Sequence, residues 1–388
     1  MNKLKASVLS LSLLTVMAGA AVAPALGTIS AHFQDVPQTM IKLIITLPAL
    51  LIIITSALFS FLIARFSPKS ITIAGLLLYI LGGGLAGFVD NIYLILCFRV
   101  LLGIGVGLIM PLSTGFLTML FDKKEQSKLM GYSSAMNNLG GIIATSLSGV
   151  LVAINWRFSF WIYFLGLIVL ILIIKNLPDV SFHESSKDSE KHSSLDKEEL
   201  RAILPYAFAA FLVMLVFYAL PSNFSMIVSK TGLFPIALMG VVLSVQNIIA
   251  FIAGMGLSGI LKSMGKRTPH VSSVILAVGF LLMSLSANVL ATLAGLVFIG
   301  FGLGVLIPIL NSQIAMKISR EKAASAMSVM SVFLFLGQFL SPIILDSLSG
   351  VMQINVIEAP YYFAAAISVI LFVFLIFLPL HVDPSENA

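Results

Sequence analysis

From Val271 to Met316 the chain carries no charged side chain. Such a run leaves few folding options. A helix needs about 20 apolar residues to cross a hydrocarbon core about 30 Å thick. A backbone inside lipid must also satisfy its own hydrogen bonds, which a helix does. Comparable runs fill the chain, at 6–29, 43–64, 70–89, 92–118, 130–154, 158–176, 203–227, 235–261, 271–287, 290–316, 323–347 and 359–380. The long run from Val271 is divided here at the polar Ser286–Asn288 turn. Only 10% of the 388 residues are charged, against about a quarter in soluble domains. The expected fold class is therefore an all-α membrane protein with twelve transmembrane helices.

Charge placement supports that count. With the N-terminus in the cytoplasm, 18 of the 22 Lys and Arg fall on the inner side. The remaining four, Lys42, Arg99, Arg157 and Lys230, fall on the outer side or at outer helix ends. This is the bias of cytoplasmic loops toward positive charge. It places both termini in the cytoplasm of a multi-pass plasma-membrane protein, and the net charge of +6 then reflects topology and points to no nucleic-acid partner. Cys97 is the single cysteine, so neither an intrachain disulfide nor a multi-cysteine metal site can form. The basic, apolar and small-residue order of the first 23 residues has the form of a signal peptide. An uncleaved first helix is expected instead, because the repeat needs it.

The repeat is internal. Gly103, Gly105, Gly107 and Pro111 recur 197 residues later as Gly300, Gly302, Gly304 and Pro308. Gly140 recurs as Gly337, and the DKKE stretch from Asp122 falls on SREK from Ser319. Between the copies lies a mixed-charge, serine-rich stretch suited to a solvated linker. The expected organisation is a six-helix bundle over 1–177, a cytoplasmic linker over 178–202 and a second six-helix bundle over 203–388. Two same-direction repeats imply a substrate site near the membrane midplane between halves that rock around it. The glycines read as packing devices that let helix backbones approach.

These residues resemble the major facilitator superfamily along essentially the whole chain, and within it the twelve-helix drug:proton antiporter families and their close relatives. The fourth-helix pattern Arg-x-x-x-Gly-x-Gly is matched by Arg99, Gly103 and Gly105. The fifth-helix antiporter pattern is matched in part by Gly140, Ala144, Thr145, Ser148 and Gly149, without its proline. The loop after the second helix, with Arg65 and Lys69, lacks the usual aspartate; its second-half copy holds Lys262, Lys266 and Arg267. The resemblance implies that these loops form an inner gate. It also implies a secondary transporter working by alternating access, most readily exporting small lipophilic compounds against protons. Uptake or exchange of a small polar or anionic metabolite is the alternative, with Arg99 meeting the substrate's negative group.

Individual residues carry further expectations. Arg99 lies eight residues past Asn91, about 12 Å along a helix, where an arginine needs a compensating partner or cavity. It has no counterpart in the second copy, where Leu296 stands. Asn137, Asn138, Gln246, Asn247, Asn311 and Gln313 lie within spans, where an unpaired amide is unfavourable, and complete the set of cavity candidates. Asp346, 23 residues into the eleventh span, is the leading carboxylate for proton coupling, and Asp35 follows it. Clustered acids and histidines that would suit an enzyme are missing, as is a P-loop. The expected protein is a non-enzymatic carrier, functional as a monomer, without cofactor or metal, whose partners are its small-molecule substrate, protons and the lipid bilayer.

Overall fold

The computed structural model describes residues 3–178, 195–285, 288–319, 322–354 and 356–380. Most of the expected linker, and the Ser286–Asn288 turn up to residue 287, lie outside them. Among the described residues, eleven helices are long and apolar enough to cross a membrane. A further helix, Thr268–Met283, stands where the ninth span is expected and is 16 residues long. Large apolar side chains such as Leu58, Phe88, Ile168, Ile370 and Phe377 remain exposed, as suits a surface solvated by lipid.

Helix boundaries follow local chemistry. Asn91 accepts hydrogen bonds from the Tyr93 and Leu94 amides and opens the fourth span, Ile92–Met119. Its repeat partner Asn288 accepts from the Ala291 amide and opens the tenth, Val289–Lys317. Both caps satisfy backbone donors that the first helical turn leaves free. Pro111 and Pro308 lie inside these two helices, where neighbouring groups can re-satisfy the freed carbonyl. The seventh span starts at Lys197 through a capping box: Asp196 accepts from the Glu199 amide at 2.8 Å, and Glu199 accepts from the Asp196 amide at 3.0 Å. The sixth span opens differently, as a tighter 3-10 segment over Trp156–Leu165 before the helix Gly166–Asn176.

The chain divides into two compact units. One comprises Met1–Ser186 with Phe234–Ser244, the other Lys187–Leu233 with Val245–Ala388. Phe234–Ser244 carries the first half of the eighth helix, Ile236–Met255, and joins the first unit through small residues. A methyl group on Gly240 would reach within 1.9 Å of the Thr145 carbonyl oxygen, so the backbones nearly touch. The Ser244 hydroxyl bonds those of Thr145 at 2.7 Å and Ser146 at 2.9 Å.

Each unit is held by contacts that repeat. A methyl group on Gly103 would lie 2.7 Å from the Pro48 carbonyl of the second helix, Gln38–Ile63. On Gly105 it would lie 2.6 Å from the Gly75 carbonyl of the third, Pro68–Gly84. In the second unit a methyl group on Gly300 would lie 2.5 Å from the Gln246 carbonyl, and one on Gly302 would lie 3.1 Å from Leu276. On Gly140 it would lie 2.2 Å from the Leu13 carbonyl, and on Gly337 2.4 Å from the Phe211 carbonyl. The fourth and tenth helices thus wedge between the two helices before them, and the first–fifth and seventh–eleventh pairs cross at matched glycines.

Candidate functional site

Arg99 is fully buried, and no carboxylate pairs with it among the described residues. Its Nη2 donates to the carbonyls of Gly82 at 3.1 Å and Gly83 at 2.9 Å; its Nη1 donates to the Tyr163 hydroxyl at 3.0 Å. Gly82 and Gly83 belong to the last turn of the third helix. The span runs on from there as a 3-10 turn over Leu85–Phe88, and carbonyls near this end carry the negative end of the helix dipole. The Tyr163 hydroxyl in turn donates to the Ala18 carbonyl at 2.6 Å. The guanidinium also lies 4.9 Å from the ring centres of Phe160 and Tyr163. One side chain therefore ties the first, third, fourth and sixth spans together. Gly83 is part of the device, since a methyl group there would fall 2.3 Å from the Tyr163 ring. Two polar groups in this region have no hydrogen-bond partner among the described residues, Arg99 Nε and the hydroxyl of Tyr79, whose ring meets Tyr163 edge-on at 5.5 Å.

Of the two candidate amides in the first unit, Asn137 faces the first helix, Lys3–Ala20. Thr15 Oγ1 lies 3.0 Å from Asn137 Oδ1, and Ser12 bonds Ser133 one turn away at 2.6 Å. Asn138 turns back on its own helix, donating to the Ser134 carbonyl at 3.0 Å. In the second unit Gln246 is buried and donates to the side chain of Asn247, while its own Oε1 has no partner. Asn311 Oδ1 is likewise buried without a partner, and Gln313 is buried. Gln246 and Asn311 are therefore acceptors held away from bulk water with capacity to spare.

The acids take different positions. Asp346 is half-buried close to the end of the helix Ala323–Val351. Asp35 is exposed, between the helix Leu26–His32 and the second helix. The basic loops differ from one another. Lys69 donates to the Leu177 carbonyl at 2.7 Å, and Arg65 lies over the Phe61 ring at 4.0 Å. Lys262, Lys266 and Arg267 are exposed.

Several polar groups were not legible as sites. Asp90 accepts from Arg157 at 2.7 Å and lies 2.6 Å from His32 Nε2, joining the ends of three spans. The His32 hydrogen bond, with the Arg157 charge behind it, holds the Asp90 carboxyl below its ordinary value. Lys5 pairs with Glu125 at 2.7 Å, and in the second unit Lys322 pairs with Glu199 at 2.8 Å. Glu125 and Lys322 are repeat equivalents of opposite sign. Only the DKKE and SREK alignment hinted at this, and it gives no partner.

Two units built on one set of helix crossings, with apolar surfaces suited to lipid, match the two-repeat design of multi-pass membrane transporters. Comparison with known proteins makes this specific. The Major Facilitator Superfamily profile matches residues 8–342 and again 270–388, and the chain belongs to that family. It is 24% identical over 329 residues to multidrug resistance protein 2 of Bacillus subtilis, covering 82% of this chain and 81% of that one. It is 25% identical over 317 residues to quinolone resistance protein NorA of Staphylococcus aureus, covering 78% of each. Among solved structures, the nucleoside transporter NupG superposes with a TM-score of 0.80 at 13% identity, covering 97% of this chain and all of that one. A D-xylose–proton symporter gives 0.74, also at 13% identity, over 99% of each. The chain is thus a non-enzymatic carrier whose curated relatives include multidrug-resistance transporters.

Proposed function

We propose that this protein exports small lipophilic compounds across the plasma membrane in exchange for protons, by alternating access. The similarity to two multidrug-resistance transporters over about four-fifths of the chain carries this reading. The interior supports it. Charge is scarce among the described buried residues, and the buried Arg99 guanidinium is engaged by two carbonyls and a tyrosine, which leaves it poorly placed to hold an anionic substrate. Gln246, Asn247, Asn137, Asn138, Asn311 and Gln313 supply neutral hydrogen-bonding groups, as suits substrates recognised mainly by apolar contact. The protein works as a monomer with both termini in the cytoplasm, an orientation that rests on the charge bias of the loops. Arg65, Lys69, Lys262, Lys266 and Arg267 belong to its inner gate.

Asp346, half-buried near the end of the eleventh span, is the coupling carboxylate, and Asp35, exposed ahead of the second helix, is the second candidate. Replacing Asp346 by Asn abolishes transport driven by a pH gradient and leaves ligand binding within about threefold; full gradient-driven transport by the variant removes Asp346 from the coupling step. The substrate class is read by a thermal-shift screen of purified protein. Stabilisation by lipophilic amines and dyes is expected. Stabilisation only by polar or anionic metabolites would replace export with metabolite exchange.

A further inference from the structure

The connection between the eighth and ninth spans is built unlike its first-half copy. After the eighth helix breaks at Gly256, a short helix, Leu257–Met264, buries Leu261 against Ala253, Val305 and Ile309. Leu257 and Ile260 pack on the same cluster, together with Phe301 and Leu380. The opposite side exposes Lys262 and Ser263. Gly265 then reverses the chain at φ 51°, ψ −135°, a conformation open to glycine and strained for other residues. Lys266 and Arg267 follow at once, both exposed.

This turn is fixed in place. Thr268 Oγ1 donates to the Gly265 carbonyl at 2.7 Å. The His270 ring lies between two backbone carbonyls, Lys266 at 3.3 Å and Leu375 of the twelfth helix at 3.2 Å. Three cations are thus presented by a braced turn whose apolar underside is packed. None of the three side chains makes an ion pair or hydrogen bond among the described residues, whereas the first-half cations Lys69 and Arg65 are engaged by a carbonyl and a ring. The stretch 257–270 contains no acid.

We infer that Lys262, Lys266 and Arg267 form a binding site for anionic phospholipid headgroups of the inner leaflet. Amphipathic helices with basic polar sides lie at the interface in this way, and clustered Lys and Arg beside a span recognise acidic lipid. The inference rests on the proposed orientation only for which leaflet is bound; headgroup capture itself can be read in micelles, where sidedness plays no part. Leaflet assignment is checked separately, by labelling a cysteine placed at Ser263 with an impermeant reagent in intact cells.

The experiment titrates phosphatidylglycerol, phosphatidylcholine and soluble glycerol phosphate into the purified full-length protein in neutral detergent and follows the melting temperature. Phosphatidylglycerol is expected to stabilise the wild type, and the other two to have little effect. The triple variant Lys262→Gln, Lys266→Gln, Arg267→Gln should weaken the apparent affinity for phosphatidylglycerol about tenfold. The charge-conserving variant Lys262→Arg, Lys266→Arg, Arg267→Lys should restore it, which separates lost binding from lost folding. Equal stabilisation by phosphatidylcholine overturns the inference, as does an undiminished response of the triple variant. An equal effect of glycerol phosphate would make the site one for a soluble phosphate and overturn it also. An equal loss on Arg65→Gln, Lys69→Gln would show a diffuse charge effect in place of a site.

Discussion

The two units share a skeleton and differ in their charge. Asn91 and Asn288 cap equivalent helices. Gly103 and Gly105 meet the helices before them as Gly300 and Gly302 do, and Gly140 crosses Leu13 as Gly337 crosses Phe211. Arg99 breaks the pattern. In the first unit it closes the carbonyl end of the third helix and reaches Tyr163; in the second its equivalent, Leu296, is buried as an apolar side chain. Among the described residues, the Asp90 cluster and the exposed cationic turn are likewise found in one unit each. Backbone contact was duplicated and kept because a glycine crossing tolerates little change. Charge could diverge wherever local carbonyls or lipid were available to meet it.

The largest effect comes from forcing the units to match. Leu296→Arg buries a guanidinium where an apolar side chain is fully buried, a penalty of about 2.5–3.5 kcal/mol on insertion scales. Loss of folded protein on fluorescence-detected size exclusion is the expected result. Arg99→Ala is next. It strips partners from two carbonyls and a hydroxyl, each buried polar loss amounting to about 1–3 kcal/mol. The variant should still reach the membrane, melt several degrees lower and fail to transport; normal transport would take Arg99 out of the mechanism.

Glycine substitutions sharpen the comparison at a smaller scale. A methyl group on Gly304 would meet the Ala250 carbonyl at 2.3 Å, while on Gly107 it would meet the Thr55 side chain at 2.7 Å. Gly304→Ala should therefore destabilise more than Gly107→Ala, within the roughly 1–3 kcal/mol typical of overpacking. Equal melting temperatures would show that the tenth helix has room to shift.

The duplicated ion pair is expected to give less. Lys5–Glu125 and Glu199–Lys322 are partly exposed pairs, a class that contributes about 0.2–1 kcal/mol. Glu125→Lys should lower stability slightly, and adding Lys5→Glu should return it. A double-mutant cycle showing no coupling would reduce the pair to coincidence.

Asp90 gives the smallest and most conditional effect. Its carboxyl is held below the ordinary value, so its contribution is present above the unfolded-state value near pH 4. It is lost as pH falls through the lower folded value. Wild type and Asp90→Asn should differ in melting temperature at pH 7 and converge toward pH 3; a constant difference would show that the ion cluster is not its source.

What the sequence disclosed follows from the kind of signal each feature leaves. The repeat was visible because glycine crossings need one residue type at fixed spacing. The spans were visible because lipid excludes charge over about 20 residues. The isolation of Arg99 was visible too, but its partners were not. Two are backbone carbonyls, which any residue supplies, and the third is one tyrosine among 38 aromatic side chains. Helix details were also hidden. The seventh span begins at Lys197, about two turns before the apolar run, because the Asp196–Glu199 capping box extends it. The Asp90, His32 and Arg157 cluster draws on three separate connections and leaves no local pattern.

The central claim, proton-driven export, is tested most directly in liposomes holding the purified protein and a fluorescent lipophilic dye, with and without an imposed pH gradient. Dye should move against its concentration gradient only when protons can flow the opposite way, and a protonophore should stop it. Movement of equal rate and extent with the pH gradient collapsed would contradict the account.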